Sequence, residues 1–210
     1  MGEEVRQERF GEADFARFAA RLGEETEALG RWFDASDPEE GGECAGFELE
    51  LCLVDGRQRP APENQEILAA VADPHLVPEL SRFNLELNSD PHPVAPGLLS
   101  ALRAELEALG ARVDREAEGR GLHFLMIGTL PTLPEAALTL ENMSPLHRYH
   151  LLNEEVLRQR RGRPLHLDIR GRERLVTDHA DVMLEAAATS LQVHLQVPLA
   201  RSRRFYNAAL

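Results

Sequence analysis

Phe47-Glu48-Leu49-Glu50-Leu51-Cys52-Leu53 alternates without a break. Successive side chains of a strand point to opposite faces, so the large apolar residues fall on one face and both glutamates on the other. Two later stretches split the same way. In Phe83-Asn84-Leu85-Glu86-Leu87-Asn88 the polar face carries Asn84, Glu86 and Asn88, and in Leu191-Gln192-Val193-His194-Leu195-Gln196-Val197 it carries Gln192, His194 and Gln196. Three such strands in one sheet would pack an apolar face on helices and gather carboxylates, amides and an imidazole on the other.

An antiparallel sheet commonly turns one polar face to water, and any single one of these strands fits that reading. Their shared composition argues against it. A merely solvated face tolerates Thr, Ser, Lys and Arg, whereas this one offers acceptors and amides, with two glutamates on a strand for which glutamate is a poor former. Like charges held side by side raise one another's pKa and cost stability unless something positive lies between them. A hard divalent cation supplies that charge. Oxygen ligands from Glu48, Glu50 and Glu86 beside one imidazole suit magnesium or manganese better than zinc, and magnesium bridges carboxylates to nucleotide phosphates. The reaction class this points to is ATP-dependent. No glycine-rich P-loop with its lysine and no G-x-G-x-x-G between strand and helix occurs in the chain. Metal ions and arginines must then hold the phosphates.

Around this core the 210 residues suffice for one large domain or two small ones, and 43% hydrophobic residues is ordinary for a globular chain. The balance of 23 basic to 36 acidic residues gives −13, and every basic residue is arginine. Nucleic acid is an unsuitable partner for a chain without a cationic stripe, whereas a small anionic substrate screened by metal ions is compatible with it. No run approaches a membrane span and the N-terminus lacks a secretory pattern, so the expected location is cytoplasmic, with no membrane partner. Cys44 and Cys52 are too few and badly placed for a disulfide framework or a four-ligand zinc site; they read as reduced thiols in or near the core.

Apolar spacing predicts helices over residues 13–33, with Phe15, Phe18, Leu22, Leu29 and Phe33 on one stripe, near Asn64–Ala72, and from Pro96 to Leu109, with Leu98, Leu99, Leu102, Leu106 and Leu109 on one side and Gly110 as the stop. A fourth helix is predicted to start with Ser144 as cap and Pro145 at its first position and to end by Gly162. Strands are expected at 47–54, 82–88, 122–128, 165–169 and 190–198. The acidic, Pro- and Gly-containing stretch Asp34–Gly42 divides an N-terminal helical segment, 1–42, from one α+β domain, 43–210. A helical pattern begins again near Ala200 with Phe205, Tyr206 and Leu210 and reads as continuing into a longer protein.

In this order the segments resemble glutamate-cysteine ligase family 2, the type shared by plants and many bacteria. The resemblance rests on Gly46-Phe47-Glu48-Leu49-Glu50, on the acidic strand at Phe83–Pro91, on Met143-Ser144-Pro145-Leu146-His147-Arg148-Tyr149, and on Ala188-Thr189-Ser190-Leu191-Gln192-Val193-His194-Leu195. It runs from about residue 15 to the end and looks like the N-terminal half of such an enzyme. It implies a partly closed antiparallel, glutamine-synthetase-like sheet whose concave face binds ATP with magnesium (or manganese), glutamate, and cysteine or another amine. ATP would phosphorylate the glutamate side-chain carboxylate, and the amine would displace phosphate to give γ-glutamylcysteine, the first step toward glutathione. Under that reading Glu48, Glu50 and Glu86 hold metal, and Gln192 and His194 contact metal or nucleotide. Asn84 and Asn88 face substrate, and the planar fork of Arg148 takes an anionic substrate group. Plainer readings stand beside these: a surface ion pair for Arg148, a core role for Tyr149, strand ends or turns for Asn84 and Asn88, and a solvated helix end for the basic run Arg158–Arg163. The other histidines show no mutual ligand spacing. The competing hypothesis is a non-catalytic or truncated family member that binds a ligand or a partner subunit without turnover. The oligomeric state and the amine acceptor leave no mark in the sequence.

Overall fold

In the computed structural model, which describes residues 4–35 and 42–210, the alternating stretch is part of one long strand, β1 (Cys44–Asp55). Everything else in the main sheet is arranged on it. Along one edge it pairs antiparallel with β3 (Asn84–Asn88) and then β4 (His92–Pro93); along the other it pairs with β8 (Leu191–Gln196) and then β5 (Leu122–Leu125). β2 (Leu76–Pro78) lies outside β3. The sheet is mixed with helices, antiparallel and open, so the partly closed form implied by the resemblance is not what the strands build: β2 forms one edge, β5 and β8 the other.

The register sets the two faces. Phe47, Leu49, Leu51 and Leu53 stand with Leu85 and Leu87 on one side, where α2 (Asn64–Val71) and α3 (Leu98–Glu118) bring Ile67, Val71, Leu109, Val113 and Ala117 against them. Helices thus pack on the apolar face as expected. Helix α3 does not stop at Gly110, because the stripe Leu102, Leu106, Leu109 continues as Val113 and Ala117 and its burial against the sheet outweighs the roughly 1 kcal/mol helix cost of one glycine. Gly110 is itself buried, opposite Phe124 of β5. Leu99 lies outside the stripe and is exposed.

The fourth helix, α4 (His147–Gln159), also departs from expectation. It begins after Leu146 without a side-chain cap. Ser144 is fully buried instead: its hydroxyl donates to the Glu79 carbonyl and accepts from Asn64 Nδ2 at 3.0 Å. A buried serine with two partners is worth more there than at a solvent-facing cap. The strand at 165–169 exists as β6 (Leu165–Arg170), paired with β7 (Arg174–His179) in a separate two-stranded sheet. α1 (Glu12–Asp34) carries the predicted stripe yet buries none of it, and α5 (Leu199–Ala209) closes the chain. The expected break at Asp34–Gly42 falls mostly on residues 36–41, outside the described residues. Cys52 is buried and Cys44 half-buried, both as free thiols. No helix among the described residues is long and apolar enough to cross a membrane.

Candidate metal centre

Pairing places the predicted polar residues together. Glu50 stands opposite Glu86, Glu48 opposite both Asn88 and Gln192, Gly46 opposite His194, and Cys52 opposite Asn84. The three strands therefore share one sheet, and their amides and carboxylates one face.

The carboxylates do not group as the sequence alone would pair them. Oxygens of Glu50, Glu86 and a third residue, Glu79, lie within 4.8 Å of one another. Glu48 lies one pair further along and turns to His194, whose Nε2 is 3.3 Å from its Oε2. Glu79 follows directly on β2 and lies in no alternating run, which is why periodicity passes over it. The available signal is a turn: Asn84 N–H donates to the Ser81 carbonyl at 3.1 Å, folding β2 back on β3 and setting Glu79 diagonally beside Glu86. Ser144 anchors that turn through its hydroxyl on the Glu79 carbonyl and its N–H on Leu80 O at 2.9 Å.

The partners of these carboxylates are few. Glu50 accepts the Ser190 N–H at 2.9 Å, the Ser190 hydroxyl at 3.3 Å and Gln192 Nε2 at 3.4 Å. Glu86 is fully buried; its Oε1 accepts Asn88 Nδ2 at 2.9 Å, while its Oε2 has no hydrogen-bond partner. Glu79 accepts the Leu80 N–H at 3.0 Å. Burial pushes its carboxyl up to about 8; the hydrogen bond and charge of Glu86 and the charge of Glu50 act in the same direction, and the Leu80 N–H against them. A half-buried acid whose carboxyl is raised by burial beside a fully buried carboxylate marks a site short of positive charge. Oxygen-only donors on paired strands fit a hard divalent cation.

Two cavities flank this group on the same face. One of about 100 Å³ is lined by Glu50, Glu79, Asn84, Glu185 and Thr189; the other, of about 240 Å³, by Glu48, Asn88, Ser89, Pro91, His194 and Gln196. Among the predicted substrate residues, Asn88 borders the second cavity. Asn84 borders the first but is 2% exposed, and its amide is engaged: Nδ2 lies 3.4 Å from Leu51 O and 3.5 Å from Cys52 Sγ, and its Oδ1 takes the Ser81 hydroxyl. Burial also pushes the Cys52 thiol up, with the Asn84 hydrogen bond opposing.

Arg148, on the first turn of α4, stacks 4.7 Å over the Tyr149 ring, and its Nη2 donates to the Tyr149 hydroxyl at 2.9 Å. That hydroxyl donates to Pro78 O at 3.0 Å, next to Glu79. Burial pushes Tyr149 up to about 12, the negative charge of Glu79 adding to it and Arg148 opposing. Arg148 and Tyr149 thus flank the carboxylate group, one step removed from it.

One sheet face thus gathers three converging carboxylates beside amides and an imidazole. The model of glutamate-cysteine ligase family 2 matches residues 44–206, and the chain belongs to that family. Membership implies a ligase-type enzyme. No curated protein and no solved structure matches the chain.

Proposed function

We propose that the chain carries the metal and nucleotide face of a carboxylate-amine ligase, which joins the glutamate side-chain carboxylate to an amine, cysteine first, at the expense of ATP. The observation that supports this most is the convergence of Glu50, Glu79 and Glu86 within 4.8 Å, with Glu86 Oε2 left without a hydrogen bond. The family's glutamine-synthetase-like architecture belongs to the same proposal.

Magnesium, when bound there, would supply charge to offset that of the transferred phosphoryl oxygens. Glu50, Glu79 and Glu86 would hold it, and Glu48 with His194 offers a second ligand pair on the same face. The glutamate carboxylate oxygen attacks the γ-phosphorus of ATP and ADP leaves. The amine nitrogen then attacks the acyl carbon, losing a proton as phosphate departs. What these residues contribute is position: β1, β3 and β8 fix Glu48, Glu50, Glu86 and Gln192 relative to one another by backbone register, so little reorganisation accompanies the reaction. Arg148, stacked on Tyr149, has a planar fork suited to a carboxylate or phosphate.

Release of phosphate from ATP, dependent on magnesium and on glutamate and cysteine together and lost in Glu50→Ala, is the expected result. Release with a different amine would replace cysteine as acceptor. Magnesium-dependent ATP binding without any release would favour the second reading, a binding module that keeps the face without turnover.

A further inference from the structure

β1 and its neighbours differ in length over one short stretch. Glu48 pairs with Asn88 and Ala45 with His92, so three steps along β1 face four along the partner strand. The additional residue makes a β-bulge at Ser89–Pro91, a device that re-aims side chains beside functional sites. Here it walls the cavity holding Glu48 and His194. Asn88, at its start, donates to Glu86. The bulge lies close on β1: a Cβ on Gly46 would come within 3.0 Å of Ser89 Oγ, and the Phe47 N–H donates to that hydroxyl at 2.8 Å.

From the other side the bulge is held by His75, in the turn between α2 and β2. Its carbonyl accepts the Asn88 N–H at 2.8 Å; its Nδ1 is 3.0 Å from Asp73 Oδ1 and its Nε2 3.1 Å from Asp90 Oδ1. A neutral imidazole has one N–H. With a carboxylate at each nitrogen, only the imidazolium satisfies both. We propose that His75, as imidazolium, is a positioning residue for the candidate metal centre: it clasps the bulge through Asp90, and its deprotonation frees the wall that sets Asn88 and, through Asn88, Glu86. The proposal rests on reading that face as the ligand site.

The surrounding charges decide which contact is given up. Asp73 is also held by the Arg112 guanidinium and the His75 N–H, and its side chain is 17% exposed against 68% for Asp90. Glu105 of α3 accepts the Asp90 N–H at 3.3 Å and meets His92 of β4. Asp90 is therefore the partner released. The hydrogen bonds of Asp90 and then Asp73 hold His75 above the ordinary histidine value. A group raised in the folded state contributes fully below its unfolded pKa and ceases to as pH rises through the folded one. The clasp thus opens on the alkaline side. Deprotonation of metal ligands acts in the opposite sense, tightening metal binding as pH rises.

The test combines two measurements on the wild type, Asp90→Asn and His75→Gln. Histidine-labelled NMR should find His75 titrating above an ordinary histidine in the wild type and lower in Asp90→Asn, with the Asn88 and Ser89 amides following the wild-type midpoint. Relative to both variants at the same pH, wild-type Mn²⁺ affinity should fall several-fold through that midpoint. An ordinary His75 titration, or amides that do not follow it, overturns the clasp; so does a wild-type affinity that keeps a constant ratio to both variants across that range. Absence of Mn²⁺ binding at every pH would instead overturn the metal centre itself and with it the role assigned to the clasp, while the NMR titration still reports whether His75 holds the bulge.

Discussion

Glu79 is where charge and geometry conflict most strongly. It is held up to about 8 by burial beside Glu86 and Glu50. Because its folded pKa is raised, the metal-free chain keeps this contribution to stability below the ordinary glutamate value and loses it as pH rises through about 8. A bound cation reverses the penalty. In His75→Gln, where the opposing response of the clasp is absent, thermal denaturation at about pH 6 and about pH 9 should therefore show a larger Mn²⁺ increment at the higher pH. Glu79→Gln is expected to flatten this dependence and to weaken Mn²⁺ at least ~10-fold without unfolding the chain, by analogy with the loss of other site-orienting groups. An unchanged Mn²⁺ affinity in Glu79→Gln would remove Glu79 from the centre. Glu50, Glu86, Gln192 and His194 were legible as one face because each sits in a period-two run. Glu79 was not, since its proximity comes from a turn and from the buried Ser144, whose residue type reads in isolation as a helix cap.

Among the elements, β1, β3, β5, β6, β8 and most helices follow from apolar spacing, β7 (Arg174–His179) is passed over, and the errors in the helices lie where tertiary packing overrides a local signal. Gly110 shows this most clearly: glycine marks a helix end by propensity, but Val113 and Ala117 continue the buried stripe beyond it. A Cβ there would stand 3.7 Å from Phe124 Cζ, an ordinary contact. Gly110→Ala should accordingly stabilise the chain by up to ~1 kcal/mol in urea denaturation; a helix that truly ended at 109 would gain nothing. Leu85→Ala, which empties a fully buried position between β1 and the helices, should cost about 2–5 kcal/mol. β2 and β4 span only three and two residues, too short for alternation to register, yet they deliver Glu79 and the bulge respectively.

At the scale of the whole molecule, the sequence defines the sheet and its two faces but not how far the apolar side is covered. Leu191, Val193 and Leu195 of β8 are 51–65% exposed, and the α1 stripe is open as well. The native chain should therefore bind an apolar dye such as ANS, and Val193→Thr should reduce that signal without lowering the thermal midpoint. The central claim concerns the other face, and calorimetric titration of ATP with and without magnesium tests it most directly. The account predicts binding that requires magnesium in the wild type and is lost in both Glu50→Ala and Glu79→Gln, with all three proteins folded; ATP binding that needs no magnesium, or that survives both substitutions unchanged, would contradict it.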